Sequence, residues 1–355
     1  MFKFSQILSV LFLFTIWSIQ AQHPHPQHYL ALSANETINI DGSIDEPDWQ
    51  RVEWSADFVD IEGEAKPAPL YRTRMKMLWD EDYLYIAAEM EEPHLWATYD
   101  QKDMIIFHEN DFEVFIDPDG DTHQYYELEV NALGTDWDLM LVKPYRDGGP
   151  AVDAWDIQGL KKGIVLNGTL NDPGDTDEGW TLELALPWAV LEEAAIDGQR
   201  PAVGDHWRIN FSRVNWRTEA VNGEYQKQVN PQTGKPYPEY NWVWSPQGVI
   251  AMHQPETWGY VSFVNQKEEA SVPKDFEILM ELRAIYQAQK NYYQQKGRYS
   301  DDLNQLGLTQ TYQSISISFT PSSFEAIIDD PALGTWHINS EGRTWKSTQK
   351  EAKNG

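Results

Sequence analysis

The chain has no cysteine. That excludes disulfide staples, thiolate metal sites, a cysteine nucleophile and lipid attachment at an N-terminal cysteine. Positive charge is scarce. Across 355 residues, 27 Lys and Arg stand against 56 Asp and Glu, a formal net charge of −29. Such a surface repels phosphate backbones and anionic membranes, which argues against nucleic acid as a partner. Long apolar runs are missing except near the N-terminus. There Lys3 is followed by residues 7–19 (ILSVLFLFTIWSI) and then by Gln20-Ala21-Gln22. This is the layout of a secretory signal spanning 1–21, and its apolar run is short of the ~20 residues a membrane span needs. The expectation is a protein exported to the periplasm or beyond, with no membrane span once the leader is removed. An uncleaved anchor is the alternative.

Aromatic residues, by contrast, are abundant: 16 Trp and 17 Tyr, with Phe bringing the aromatic share to 13%. That composition is the reverse of a disordered chain. From about 30 to 264, short runs alternate between apolar and polar residues and are separated by Gly, Pro, Asn and Asp. They are Thr37–Asp41, Arg72–Trp79, Tyr83–Glu89, Phe112–Asp117, Tyr125–Asn131, Trp137–Val142, Trp180–Leu186, Trp207–Asn215 and Gly259–Val264. Period-two apolarity with turn punctuation predicts antiparallel strands, and this many predict a mostly β fold, a jelly-roll-like β-sandwich. Pro187 to Ala195 reads as one short helix with Pro in its first turn. Residues 265–274 read as a linker. Asp275 to Lys296 then carries an apolar stripe at helical spacing (Phe276, Leu279, Leu282, Ile285, Tyr286, Gln289, Tyr293), stopped by Gly297. Strand-like runs at Ser314–Phe319, Phe324–Ile328 and Thr335–Asn339 follow. The region 275–355 is therefore expected to be a small α+β unit with one long helix.

Four constellations could carry chemistry. Asp41 to Trp49 (DGSIDEPDW) reads mainly as a structural corner with Trp49 as its plug. Asp117, Asp119 and Asp121 alternate around Gly120 and offer hard oxygens on a sharp turn, which suits Ca2+ as a structural ion; an acidic hairpin turn is the equal alternative. The loop 171–178 is a weaker acidic turn. On the strands, Asp111, Glu113, Phe115 and Asp117 share one face, as do Glu127, Glu129 and Asn131. If the two strands pair, Glu113 and Glu129 line one surface, and Arg72, Arg74 and Lys76 could balance it. A solvated face with weak surface ion pairs is the plainer reading. Finally, Trp137, Trp155, Trp216, Trp242, Trp244 and Trp258 lie in or beside loop-like stretches. Indoles cover the C–H face of a sugar ring, while carboxylates, amides and Arg bind its hydroxyls. For any single Trp, core packing is the commoner fate.

Several runs together resemble the family 9 carbohydrate-binding modules. They are IDGSIDEPDW (40–49), LWDEDYLYIAAEMEEP (78–93), NDFEVFIDPDGDTHQYYELEVNALGTDWDL (110–139), GWTLELALPW (179–188), VGDHWRINFSRVNW (203–216) and NWVWSPQGVIAMHQPETWGYVSF (241–263). The resemblance implies a β-sandwich over about 30–264, a structural Ca2+ and recognition of sugars or glycan chain ends. In sugar-binding members two Trp clamp a ring; here Phe107 or His108 stands near one such position and Met252 near the other. Glu113 matches a carboxylate that bonds sugar hydroxyls, and position 129 is Glu where such members can carry Arg. Trp137, Trp155 or Trp244 could replace the clamp. The expected carbohydrate-binding set is thus Phe107, Glu113, Glu129, Trp137, Trp155, Arg213 and Trp244, with Asp117, Asp119 and Asp121 for the metal. Residues 282–308 (LRAIYQAQKNYYQQKGRYSDDLNQLGL) resemble the helix-to-loop part of type IV pilin-like and pseudopilin domains, implying a small packing or docking module.

Three functions compete. A non-catalytic carbohydrate-binding protein in carbohydrate breakdown, with an oligo- or polysaccharide as partner, uses all these features and needs no catalytic residue. A glycoside hydrolase requires two carboxyls roughly 5–9.5 Å apart, such as Glu113 and Glu129. A haem-binding sandwich requires an axial Met/His set, for which Met90, Met104, His108, Met252 and His253 show no directing spacing.

Overall fold

A computed structural model describes residues 26–267, 271–309, 312 and 314–347. The expected leader, residues 268–270 of the expected linker and the last eight residues lie outside the described residues. Fifteen strands precede the long helix: β1 (His28–Ser33), β2 (Val59–Asp60), β3 (Thr73–Trp79), β4 (Tyr83–Glu91), β5 (Asp111–Asp117), β6 (Tyr125–Asn131), β7 (Asp136–Leu141), β8 (Ala151–Val152), β9 (Lys161–Asn167), β10 (Gly179–Pro187), β11 (His206–Asn215), β12 (Thr218–Val221), β13 (Glu224–Lys227), β14 (Tyr240–Val243) and β15 (Gly259–Val264). All but β12 and β13 form one curled sheet in the order β8-β7-β6-β5-β11-β15-β1-β3-β4-β10-β9, with β14 and β2 extending from β11. Its two halves face each other. Phe112, Val114, Ile116, Leu128, Val130 and Phe211 from one half pack on Met75, Met77, Ile86, Leu182 and Leu184 from the other. This is the expected sandwich, made by alternation that sends every second side chain inward.

Two details differ from expectation. The sheet is mixed, because β1 runs parallel to both its neighbours, β15 and β3. Its segment HYLALS is short and breaks strict alternation, with Tyr29, Ala31 and Leu32 buried, so the sequence does not mark it as a strand. Conversely, Thr37–Asp41 is not a strand. Ile38 is buried there, but the chain is turning into the corner.

That corner explains itself. The Trp49 indole, fully buried, donates Nε1–H to Glu183 Oε1 (2.7 Å), and Gly42 N–H donates to Glu183 Oε2 (2.8 Å). Gly42 adopts φ +93°, and a Cβ there would stand 2.6 Å from the Ile164 backbone, so the turn demands glycine. Pro187 leads into a one-turn helix, α1 (Trp188–Leu191), as expected.

The second helix, α2 (Phe276–Lys296), ends where Gly297 takes φ +67° and returns its N–H to Tyr293 O (2.8 Å). It covers a meander of β16 (Ile315–Phe319), β17 (Phe324–Asp330), β18 (Gly334–Asn339) and β19 (Thr344–Lys346). Ile278, Leu282, Ile285, Phe324, Ala326, Ile328 and Ile338 form their common core. The unit rests on the sandwich through polar contacts. Arg343 Nε meets Asp121 Oδ2 at 2.6 Å, Thr122 Oγ1 donates to Gly342 O (3.1 Å), and the Tyr286 hydroxyl bonds Asp147. No helix among the described residues is long and apolar enough to cross a membrane.

Candidate functional site

Strands β5 and β6 pair so that Glu113 lies directly opposite Glu129 and Asp111 opposite Asn131. Ser212 of β11 stands across from Glu113, and Trp137 of β7 across from Glu129. Cross-strand neighbours share a face, so Ser212, Glu113, Glu129 and Trp137 form one row, with Asp111 at one side and Glu127 at the other. The expected alignment of Glu113 with Glu129 is therefore present. Its surroundings are not the expected ones. Asp111, Glu113 and Glu129 are 1%, 4% and 1% exposed, because the chain at Phe107, Met252 and Trp258 covers this face. The solvated-face reading is thereby corrected: every residue of β5 and β6 is buried. The supposed balancing charges lie elsewhere. Arg72 and Arg74 pair with Glu89, and Lys76 Nζ bonds Trp49 O (2.6 Å). Burial accordingly pushes the Glu113 carboxyl up to about 7, and burial followed by neighbouring carboxylates pushes Asp111 and Glu129 well above their usual range.

Above the row, Phe107 and Trp137 are half-buried and nearly parallel, their centroids 6.4 Å apart and planes 29° apart. Phe107 N–H donates to Glu129 Oε2 (2.8 Å). Trp216, just after β11, donates its indole N–H to Phe107 O (2.9 Å). Trp216 also lines an open cleft of about 330 Å³ with Tyr71, Glu92, Asn215, Arg217 and Tyr240. At its floor, Glu92 accepts from Arg213 Nη2 (2.8 Å), Asn215 Nδ2 (2.8 Å) and Asn110 Nδ2 (3.0 Å). The cleft joins flat rings to an ordered set of polar groups. Of the residues just named, Trp216 is legible in the sequence, as one of the loop-side tryptophans. Tyr71, Glu92 and Tyr240 come from separate strand ends, and no local pattern links them.

The remaining expected residues separate. Trp244 is 2% exposed and packs edge-on against Tyr29, and Arg213 is 1% exposed in its pair with Glu92. Both differ from the expected ligand-facing position: strand alternation at β11 turns Arg213 into the core, and Trp244, just after β14, is buried there too. Trp242 and Trp258 are buried likewise. Trp155 stacks on Tyr126 at 4.4 Å and 13°, on the face of β6 opposite Glu127 and Glu129, so it does not join their row.

Two further carboxylate groups converge. Asp117, Asp119 and Asp121 bring one oxygen each within 4.8 Å of one another, as do Asp103, Asp138 and Asp156. In the second group, Lys102 already supplies the cation, with Nζ 3.0 Å from both Asp103 and Asp156 and bonded to Asp138. In the first, Thr122 N–H and Gly120 N–H fix Asp117 (3.0 and 3.1 Å), and Arg343 reaches Asp121. Burial and then the Asp121 charge push Asp119 up to about 7. An all-oxygen donor set on a tight turn with excess negative charge fits a hard cation. In the weaker acidic loop, Asp177 accepts Leu95 N–H (2.8 Å) and Thr169 N–H (2.7 Å), a structural role.

Next to the covered row, His253 Nδ1 lies 3.1 Å from the Tyr125 hydroxyl. Burial, then the Arg146 charge, holds His253 down at about 4. The folded state thus keeps the ring neutral while the unfolded chain protonates near 6.5. Stability from this group is full above about pH 6.5 and is lost as pH falls toward 4. His28, also held at about 4 by burial and then by His206, acts in the same sense. His253→Asn should flatten the melting-temperature profile between pH 6.5 and 4, a difference on the order of 2 kcal/mol against wild type; parallel profiles would refute the assignment.

The family model described as carbohydrate family 9 binding domain-like matches residues 40–265. Among solved structures, a putative carbohydrate-binding protein from Bacteroides uniformis is similar at 16% identity and TM-score 0.49, covering 67% of this chain and 100% of that one. A carbohydrate-binding module of family 9 from Caldicellulosiruptor kristjanssonii, in complex with cellotriose, is similar at 15% identity and TM-score 0.45, covering 70% and 98%. The same organism's family 9 module with glucose gives 15% identity and TM-score 0.44, covering 70% and 100%. No curated protein matches the chain.

Proposed function

Since this chain belongs to the carbohydrate family 9 binding domain-like family, we propose that it is an exported, non-catalytic protein that binds neutral glycans in the Trp216 cleft. One observation carries the assignment of the site: the cleft joins open space to flat rings and fixed polar groups. Trp216, with Lys227 over its ring at 3.2 Å, and Tyr240, stacked on Trp242, supply aromatic walls for sugar C–H bonds, and Asn215, Arg217 and Glu92 supply polar partners. A net charge of −29 disfavours anionic glycans. The Phe107–Trp137 pair beside the cleft offers a second, shallower contact for a longer chain. The near-complete burial of Glu113 and Glu129 supports binding over hydrolysis, which needs a carboxyl within hydrogen-bond reach of the glycosidic oxygen.

Calorimetric titration with a panel of neutral oligosaccharides tests this. Trp216→Ala and Tyr240→Ala should each weaken binding about ten- to a hundredfold, the worth of a stacked ring. Unchanged affinity in both would remove the cleft from the account, and release of reducing ends would remove the non-catalytic reading. Export is tested by sequencing the N-terminus of the mature protein, which should begin at Gln22.

The structural Ca2+ belongs to the same reading, with Asp117, Asp119 and Asp121 as its ligands. When bound, the ion would neutralise three carboxylates on one turn. With Ca2+ at a hundred times its Kd, its removal by a chelator should cost about 2.7 kcal/mol, a fall of roughly 5 to 10 °C in Tm. Asp119→Asn should reduce that fall; an identical fall would place the ion elsewhere.

A further inference from the structure

The three converging carboxylate groups differ in one respect. Lys102 sits within the Asp103 group, and Arg343 reaches the Asp117 group. Among the described residues, no Lys, Arg or His pairs with Asp111, Glu113, Glu127 or Glu129. The charges that face them are other carboxylates: Glu113, Glu127 and Glu109 around Asp111, and Glu239 near Glu113. Burying several carboxylates together without a counter-charge is costly.

The polar atoms here are also left without partners. Asp111 Oδ1 accepts Val214 N–H at 3.3 Å and Glu129 Oε2 accepts Phe107 N–H at 2.8 Å, but Asp111 Oδ2 and Glu113 Oε2 are buried and unpaired. So is the hydroxyl of Ser212, which is 0% exposed and stands directly across from Glu113 on the same face. That hydroxyl is close enough to favour the charged Glu113 carboxylate but does not meet hydrogen-bond geometry with it. Buried orphans of this kind call for a bound group. Oxygens of Asp111, Glu113 and Glu129 lie within 4.8 Å of one another, a span that one cation with oxygen ligands at 2.3–2.6 Å can bridge.

We propose that Asp111, Glu113 and Glu129 hold a hard divalent cation of the Ca2+ class, with the Ser212 hydroxyl completing the donor set, beneath the Phe107–Trp137 pair. This site is separate from the Asp117–Asp121 turn and does not rest on the glycan reading. The cation supplies the missing counter-charge and ties β5, β6 and β11 together. Through Glu129 it also fixes the Phe107 backbone.

The test uses the mature full-length chain freed of metal by chelation, then titrated with Ca2+ and with Tb3+. Ion content is measured directly, and Tb3+ emission is excited through tryptophan, since Trp137 is the cross-strand neighbour of Glu129. Glu113→Gln/Glu129→Gln should lose one equivalent of Ca2+ and most of the sensitised Tb3+ emission, whereas Asp119→Asn should retain both at this site. A variant that merely folds badly is distinguished by its melting temperature in chelator. There the double glutamine variant should melt above wild type, because like charges have been removed, and should gain nothing from Ca2+. Calcium content unchanged in the glutamine variant would overturn the proposal. So would a wild-type chain that binds no ion, or one whose entire uptake is abolished by Asp119→Asn.

Discussion

Arg213→Met is expected to destabilise the protein by about 3 to 5 kcal/mol, the cost of leaving one buried charge without its partner. Arg213 is 1% exposed and Glu92 is 3% exposed. The guanidinium donates to Glu92 Oε2 (2.8 Å) and to Thr73 Oγ1 (2.9 Å), tying β11 to the end of β3 and to the residue after β4. Removing it leaves the nearly buried Glu92 with neutral donors alone, the side-chain amides of Asn110 and Asn215 and the His94 N–H. The same loss reaches the cleft, since Glu92 forms its floor. Urea unfolding should therefore show a lowered midpoint, and glycan affinity should fall with it. Adding Glu92→Gln to Arg213→Met should recover much of the stability without recovering affinity. Equal destabilisation in the single and double variants would mean that the charge pair is not the cause.

Trp49→Ala should cost about 3 to 5 kcal/mol through the cavity left by a fully buried indole. Glu183 then loses one of its donors while still accepting Gly42 N–H (2.8 Å) and Asp41 N–H (3.1 Å). Trp49→Phe separates the two contributions. It keeps most of the volume and forfeits the hydrogen bond, so its cost should be about 1 to 3 kcal/mol. Equilibrium unfolding of the two variants decides this. If alanine and phenylalanine behave alike, packing at the corner counts for little.

Strand alternation carries β3 to β7, β10, β11 and β15 to within a residue or two of their observed ends, because each buries one face and punctuates with a turn. β1 escapes that logic. It is short, and it is held by parallel partners distant in sequence, Gly259–Val264 and Thr73–Trp79. The helix α2 and its stop at Gly297 are legible for local reasons, a stripe and a left-handed cap. At the site, alternation places Glu113 across from Glu129 correctly, but nothing local tells which face is covered. The polar faces of β5 and β6 look like solvent faces until residues near 107 and 252–258 close over them. Trp244 shows the converse: its neighbours resemble loop, while its side chain points inward. Arg213 lies in the Trp207–Asn215 strand run, whose alternation sends it to the core face. The cleft needs side chains from Tyr71, Glu92, Trp216 and Tyr240 together, and only the three-dimensional structure assembles them.

Hydrogen exchange with and without a saturating neutral oligosaccharide tests the glycan assignment most directly. The account predicts new protection at 70–71, 92–94, 215–218 and 240, around the Trp216 cleft, and little change at the backbone amides of residues 74–76 and 85–89 in β3 and β4. Protection confined to other parts of the sandwich, with the cleft amides exchanging as in the free protein, would contradict it.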